Sequence, residues 1–288
     1  MLGHTPVLLE EVMKFLDPKP GGRFIDATLG AGGHTRAILE RTAPDGRVLA
    51  IDQDELALAG ARESLQSFGS RLIMEHSNFK NIAPLAAGHG FLEVEGVLAD
   101  IGISSMMVDD PSRGFSFMRE GPLDMRMDRT QDLTAADVVN TYAEKEIADI
   151  LYTYGEERRS RPIARSIVRA RPLRLTTDLT RAIERVMGGP RGRIHPATRT
   201  FQALRIFVNG ELSSLESFLD SSMTVVRSGG RLVVITFHSL EDRIVKQKFR
   251  TPPVPGRALT KKVVVATEEE VRRNPRARSA KLRAWEKS

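Results

Sequence analysis

Residues 24–35 read FIDATLGAGGHT: a short apolar run, an aspartate, three glycines within four positions (Gly30, Gly32, Gly33), then a helical pattern. Glycine costs about 0.5–1 kcal/mol against alanine in an ordered segment, because it loses the most backbone freedom. Such a run therefore predicts either positive φ or bare backbone lying against a ligand. The order strand, glycine turn, helix puts backbone amides and a helix N-terminus at the carboxyl end of the strand, where open α/β sheets bind ligands.

The pattern extends on both sides. VLLEEVMKFL (7–16) has the spacing of an amphipathic helix, and RFIDAT (23–28) reads as a strand. RVLAID (47–52), RLIMEH (71–76) and GVLADI (96–101) are further strands, alternating with helical stretches at 34–42 and 54–68. That alternation predicts a parallel sheet with helices on its faces. From about 105 to 220 no strong strand is visible, and five stretches read as helices, the last running on from Pro196. RLVVITF (231–237) restores a buried strand, HSLEDRIVKQKF is a helix, 251–262 a loop, KKVVVAT (261–267) a strand and SAKLRAWEK a last one. The expected fold is α/β, a Rossmann-like parallel sheet with an inserted all-helical domain. Its boundaries fall at 1–105 plus 221–288 for the sheet and 106–220 for the insertion.

The chain has 288 residues, net charge +6 and no cysteine. The missing cysteines exclude disulfides, thiolate zinc sites, iron–sulfur clusters and cysteine nucleophiles, and fit a reducing compartment. No window reaches the roughly 18 apolar residues of a membrane span, and the start lacks the basic region of a signal peptide, so the expected location is cytoplasmic. Between Arg158 and Arg205 there are 13 Arg, no Lys and only two acids, Asp178 and Glu184; five more Arg lie between Arg272 and Arg283. Arginine matches phosphate bidentately and stacks on bases, so this concentration predicts a nucleic-acid partner.

Two ligand classes compete for the glycine turn. A dinucleotide needs Gly-x-Gly-x-x-Gly, but Thr35 stands at the third position. The pattern Asp-x-x-x-Gly-x-Gly, met by Asp26, Gly30 and Gly32, suits S-adenosylmethionine, whose sulfonium and ammonium call for an acid and whose carboxylate calls for amides. Asp52, 20 residues after Gly32, ends the second strand and is placed to accept ribose hydroxyls. Phe79 follows the third strand as a surface for adenine, and Asp100 ends the fourth. The Asp/Asn-Pro-Pro-Tyr/Phe box of amino-methylating enzymes is absent; Asp100-Ile-Gly-Ile-Ser-Ser stands there. Asp100 is then the candidate to polarise an amine, with a carbonyl near Gly102. Thr198, Gln202, Arg205 and Asn209 form a polar stripe assigned to substrate, with Arg199 beside it. His238, at the end of the fifth strand, faces the same side, and Ser239 with Asp242 reads as a capping box. LDMRMD (123–128) alternates apolar with charged, which reads either as a half-buried extended segment or as a wall of the site. No metal pattern is evident; Asp124 and Asp128 come nearest to one.

HTPVLLEE, DATLGAGGHT, DIGISS, RGFSFMREGPLDMRMD, YGEER, HPATRTFQALRIFVN, GGRLVVITFHSLEDRIVK and NPRARSAKLR together resemble the bacterial 16S rRNA (cytosine-N4)-methyltransferase family nearly end to end. The resemblance implies that the sheet is of the class I S-adenosylmethionine methyltransferase type, with S-adenosyl-L-methionine as donor, the exocyclic amine of one decoding-region cytosine as acceptor, and 16S rRNA or the small ribosomal subunit as partner. It carries the cofactor contacts onto Gly32, Gly33, His34, Asp52, Phe79 and Asp100. A further family contact, usually Gln, falls on Met107 and is not carried over; Ala31 replaces a common Arg. The chain is expected to act as a monomer or homodimer. The rival readings are a non-catalytic RNA-binding assembly factor, a methyltransferase of protein or small molecules, and a nicotinamide dehydrogenase.

Overall fold

The computed structural model describes residues 6–189 and 195–288; two of the 13 clustered arginines, Arg191 and Arg193, lie outside them. In chain order, helix α1 (Leu9–Leu16) leads to β1 (Arg23–Asp26), α2 (Gly33–Arg41), β2 (Arg47–Asp52), α3 (Glu55–Leu65), β3 (Leu72–His76), α4 (Ile82–His89) and β4 (Val94–Asp100). Helices α5 (Ser105–Asp109), α6 (Ala135–Thr141), α7 (Glu144–Gly155), α8 (Ser160–Arg169), α9 (Thr176–Met187) and α10 (Thr198–Asn209) follow. The chain then forms α11 (Glu211–Val225), β5 (Val226–Thr236), α12 (Ser239–Arg250), β6 (Gly256–Ala258), β7 (Val264–Val265), α13 (Glu268–Arg273) and β8 (Lys281–Lys287).

Two compact units result, one of residues 1–102 with 212–288, the other 103–211. The sequence reading drew its boundaries at 105/106 and 220/221. In the first unit the strands run in the order β3-β2-β1-β4-β5-β8-β6, with β7 also on β8. The first five are mutually parallel, and β8 is antiparallel to β5 and β6. The inner strands are near-continuous apolar runs because both of their faces are covered: Val48–Ile51, Val97–Ala99 and Leu232–Ile235 are all buried. The order reverses direction at β1, flanked by β2 on one side and β4 on the other. This switch point opens a crevice beyond the carboxyl ends of β1 and β4.

The quoted stretch builds that crevice. Gly30 and Gly32 take φ of +51° and +80°, which L side chains adopt only with strain. Asp26 is 1% exposed. Its Oδ2 accepts the Thr35 hydroxyl at 2.6 Å and its Oδ1 the Thr28 amide at 3.1 Å. Burial pushes the Asp26 pKa up, against the Thr35 hydrogen bond and the nearby His34, which lower it.

Several elements differ from the sequence reading. The supposed loop 251–262 contains β6, whose Gly256 lies on Trp285: a Cβ there would stand 2.0 Å from the ring. The stretch KKVVVAT keeps only the two residues of β7 in strand. The helix expected to run on from Pro196 is two helices, because Gly210 (φ +57°) caps the first. Helix α4 was not read at all; its Ala-Ala-Gly-His end carries little amphipathic signal.

The second unit is helical around its own core. Ile147 and Leu151, Ile163 and Ile167, and Leu179 and Ile183 bury one face each of α7, α8 and α9 at four-residue spacing. The segment 123–128 is half-buried as its alternation predicts, with Leu123, Met125 and Met127 in this core, but it is irregular and not extended, since Met125 takes φ +61°. Asp124 there is chelated by Arg126 at 2.8 and 2.9 Å. Burial raises its pKa, but the Arg126 hydrogen bonds outweigh burial and hold it below the usual carboxylate range. Asp128 accepts from Thr130 at 2.7 Å.

Two stability changes follow. Gly256→Ala should cost about 1–3 kcal/mol, as overpacking does, in denaturant unfolding followed by Trp285 fluorescence; a loose loop would tolerate it. Thr35→Val should cost about 1.5–3 kcal/mol where Asp26 is ionised, since a charge loses its donor. The folded-state pKa of Asp26 is already raised, so lowering the pH protonates the group and relieves the loss. The destabilisation should therefore be larger at about pH 8 than at about pH 4.

Candidate active site at the β1–β4 crevice

Three carboxylates end three adjacent strands: Asp26 on β1, Asp52 on β2 and Asp100 on β4. Asp52 Oδ2 accepts the Gly30 amide at 2.7 Å and Oδ1 the Asp54 amide at 2.8 Å. This is why Gly30 turns to positive φ: its N–H is aimed at the next strand's acid. Each Asp52 oxygen keeps a second lone pair. Burial pushes the Asp52 pKa up to about 6, against its two amide bonds. The Asp100 amide donates to Thr28 Oγ1 at 2.6 Å, tying β4 to the residue after β1.

His34, in the first turn of α2, is buried. Its Nε2 lies 3.7 Å from Asp100 Oδ2, too far for a hydrogen bond. Neither His34 ring nitrogen has a hydrogen-bond partner, nor does Asp100 Oδ1. Buried polar atoms are nearly always satisfied, so three together without partners make this the candidate place for a ligand. Helix α2 also starts without a side-chain cap, leaving its first-turn amides as open donors. The amides of Gly30 and Gly32 are committed elsewhere, to Asp52 and to the Leu29 carbonyl at 2.8 Å. The amides open to an anion are thus those of the helix start, from Gly33 onward. The Cβ of any other residue at Gly33 would meet Pro6 at 2.7 Å.

Phe79 opens a short 3₁₀ turn after β3, 9% exposed, with its ring edge-on to Phe218 at 5.2 Å. Asn78 fixes that turn by accepting from the Lys80 amide and donating to Gln53. Gly102, two residues after Asp100, has φ +134° against the Phe237 ring. A depression of about 390 Å³ at the opposite end of the sheet, lined by Leu16, Lys19, Phe24, Glu95, Arg227 and Arg231, carries no such open atoms; its charges pair with one another or with Asp17.

His238 is the N-cap of α12, not a free side chain at the end of β5. Its Nδ1 accepts from the Glu241 amide at 3.4 Å, and its Nε2 lies 2.9 Å from Glu241 Oε1. Glu241, 0% exposed, accepts the Phe237 and His238 amides in return. The capping box therefore starts one residue before the expected Ser239, and Asp242 instead binds Arg283 at 2.8 Å. Met107 is buried in the core of the second unit, with its amide taken by Ser104.

The polar stripe on α10 points inward. Asn209 Oδ1 accepts the Met127 amide at 2.7 Å, while its Nδ2 donates to the carbonyls of Met125 and Arg205, both at 2.8 Å. Gln202 donates to Tyr154 O, and Arg205 makes a two-bond pair with Glu211 at 2.8 Å. Gln202, Arg205 and Asn209 thus spend these polar atoms holding the unit together, against the substrate role expected of them. Arg199, on the same helix, is exposed, and its guanidinium reaches the Glu156 carbonyl at 3.3 Å.

Thr28, Thr35 and Glu241 were missed from sequence. Thr35 drew notice only as a missing glycine, although a threonine nine residues after a buried aspartate, across one turn, is a donor within reach.

The model of the MraW methylase family matches residues 1–288. A protein of Sorangium cellulosum is 53% identical over 285 residues, 98% of this chain and 90% of its own length. One of Thermomicrobium roseum is 51% identical over 304 residues (99% and 93%) and one of Dehalococcoides mccartyi 49% over 301 (99% and 86%). All three are called ribosomal RNA small subunit methyltransferase H. Among solved structures, TrmN of Thermus thermophilus, 15% identical, aligns over 98% of this chain and 48% of its own with a TM-score of 0.47. A family match over the whole chain, with relatives half identical along nearly all of it, means that the chain belongs to the MraW methylase family.

Proposed function

We propose that the chain transfers a methyl group from S-adenosyl-L-methionine to the exocyclic N4 amine of one cytosine in the decoding region of 16S rRNA. The observation that carries the reading is the unpartnered cluster of His34 and Asp100 inside a ring of three carboxylates. A crevice lined by acids favours a cationic ligand and opposes a pyrophosphate, so it suits the sulfonium donor and not a nicotinamide dinucleotide. The donor supplies a methyl group made electrophilic by the sulfonium charge. The open amides at the start of α2 suit its carboxylate, the spare lone pairs of Asp52 its ribose hydroxyls, and the Phe79 edge its adenine.

The cytosine N4 lone pair is delocalised into the ring, so the amine is a weak nucleophile. An acceptor for its N–H must be in place as positive charge builds on nitrogen. Asp100 Oδ1 is that acceptor, with the carbonyl near Gly102 as a second. The base must leave its stack to be reached. The relatives' name supplies the RNA class, and exposed arginines of the helical unit, Arg199 among them, supply phosphate contacts whose strength falls with salt. No helix among the described residues is long and apolar enough to cross a membrane, which fits a ribosomal substrate.

The direct test offers radiolabelled donor with immature 30S subunits, deproteinised 16S rRNA and tRNA. Label should appear in N4-methylcytidine from the small-subunit RNA; label in another nucleoside, or none with donor bound, would overturn the reading. Asp100→Asn should lower kcat by about 100-fold or more, in line with general acid–base roles, as well as weakening donor binding. A change in binding alone would confine Asp100 to the donor. Asp52 hydrogen-bonds best when ionised, and its folded-state pKa is raised to about 6. Donor affinity measured by calorimetry should therefore fall as the pH drops through about 6 and level off above it. Asp52→Asn should flatten that profile and cost about ten-fold in affinity above it.

A further inference from the structure

Tyr152 takes no part in the crevice, and it is the one exposed aromatic among the described residues, with 65% of its surface in water. The other two tyrosines pack on Phe207. Tyr152 stands in the last turn of α7, one turn before Glu156, which caps that helix at φ +48°. Gly155 lets α10 press close, since a Cβ there would lie 2.6 Å from the Arg199 carbonyl. The exposed Arg199 side chain crosses to the end of α7 at the Glu156 carbonyl. Arg158, Arg159 and Arg161 follow directly and are all exposed. Along α8, Arg161, Arg165 and Arg169 repeat every four residues on one exposed face, about 6 Å apart. The acids here do little to offset them. Glu157 is buried, Asp149 is paired to Lys145 at 2.6 Å, and Glu144 reaches Arg165 at 3.4 Å, while Glu156 is exposed.

We propose that Tyr152 is a stacking platform for an unpaired base of the RNA, with Arg158, Arg159, Arg161 and Arg199 holding the flanking phosphates. This rests on the RNA reading above and specifies the state of that RNA. A free aromatic face beside guanidinium groups is how proteins hold single-stranded nucleic acid, since every base has a π-face to offer. Bases within an A-form helix have both faces taken by their neighbours, so the platform selects a single-stranded stretch.

The test is fluorescence anisotropy of the full chain with two end-labelled probes, a short single-stranded RNA and the blunt duplex of the same strand. Tyr152→Ala should weaken single-strand binding by at least about five-fold, the lower end for loss of one stacked base. Duplex binding and the salt slope should stay unchanged, because no charge is removed. Tyr152→Phe, which keeps the ring, should bind like the parent. Equal thermal midpoints for the three proteins would establish that they are folded alike. Unchanged single-strand binding by Tyr152→Ala, or an equal loss on both probes, would overturn the platform and leave the RNA reading standing. A parent chain that binds neither probe would overturn both.

Discussion

A carboxylate cannot be buried without donors, and Asp26 is buried at the end of β1. Its position is therefore fixed by whatever donates to it: the Thr35 hydroxyl from α2 and the Thr28 amide from the turn. Isolated charges in a protein interior cost far more than the fold's net stability can absorb, so these bonds are conditions of the turn's geometry. Thr28 then uses its hydroxyl to take the Asp100 amide, which sets the ends of β1 and β4 side by side. Gly30 turns its own amide to Asp52 and so joins β2 to the same turn. One buried acid, two threonines and the Gly30 amide thus position three strand ends. The unpartnered polar atoms of His34 and Asp100 are what remain once those bonds are made.

The chain's net charge of +6 hides two opposite populations. The crevice gathers acids, and burial raises the pKa of both Asp26 and Asp52. The helical unit gathers arginines, nine of them exposed between residues 158 and 199. Each arrangement is costly alone, since like charges held together repel. Each becomes favourable with the right ligand: a sulfonium among acids, a phosphate chain among arginines. On the function proposed above, the counter-charge in both places would come from a substrate.

Much of this was legible in the sequence because it depends on local rules. Parallel strands covered on both faces announce themselves as apolar runs, and the run 24–35 gave the crevice its position through its glycines. The bounds of β2 follow its pattern residue for residue. What failed depends on partners distant in sequence. Strand β6 has three residues and no apolar pattern; it exists because β8 offers it an edge and Trp285 a surface. The stripe Gln202, Arg205 and Asn209 has the spacing of a solvent- or substrate-facing row. Its inward direction is set by carbonyls and amides at 125–127 and 154 and by Glu211, which no helical periodicity can reveal. His238 was read from its place at a strand end, whereas its state is decided by Glu241, three residues later.

The same distinction limits what arginine content says about RNA. Arg205 is held by Glu211, Arg171 donates to the Val139 and Tyr142 carbonyls, and the buried Arg113 to those of Arg126 and Met127. These side chains do the work of missing secondary-structure bonds in a unit with long irregular connections, and arginine suits that work because its five donors reach several carbonyls at once. Their charge is already offset or surrounded, so each lends little to phosphate binding. The arginines left to answer to RNA on the proposed reading are the exposed ones, Arg199 reaching the end of α7 and Arg161, Arg165 and Arg169 along α8. The eleven described arginines of that cluster are thus of two kinds: Arg171 and Arg205 hold the helical unit in shape, and the other nine are exposed on it.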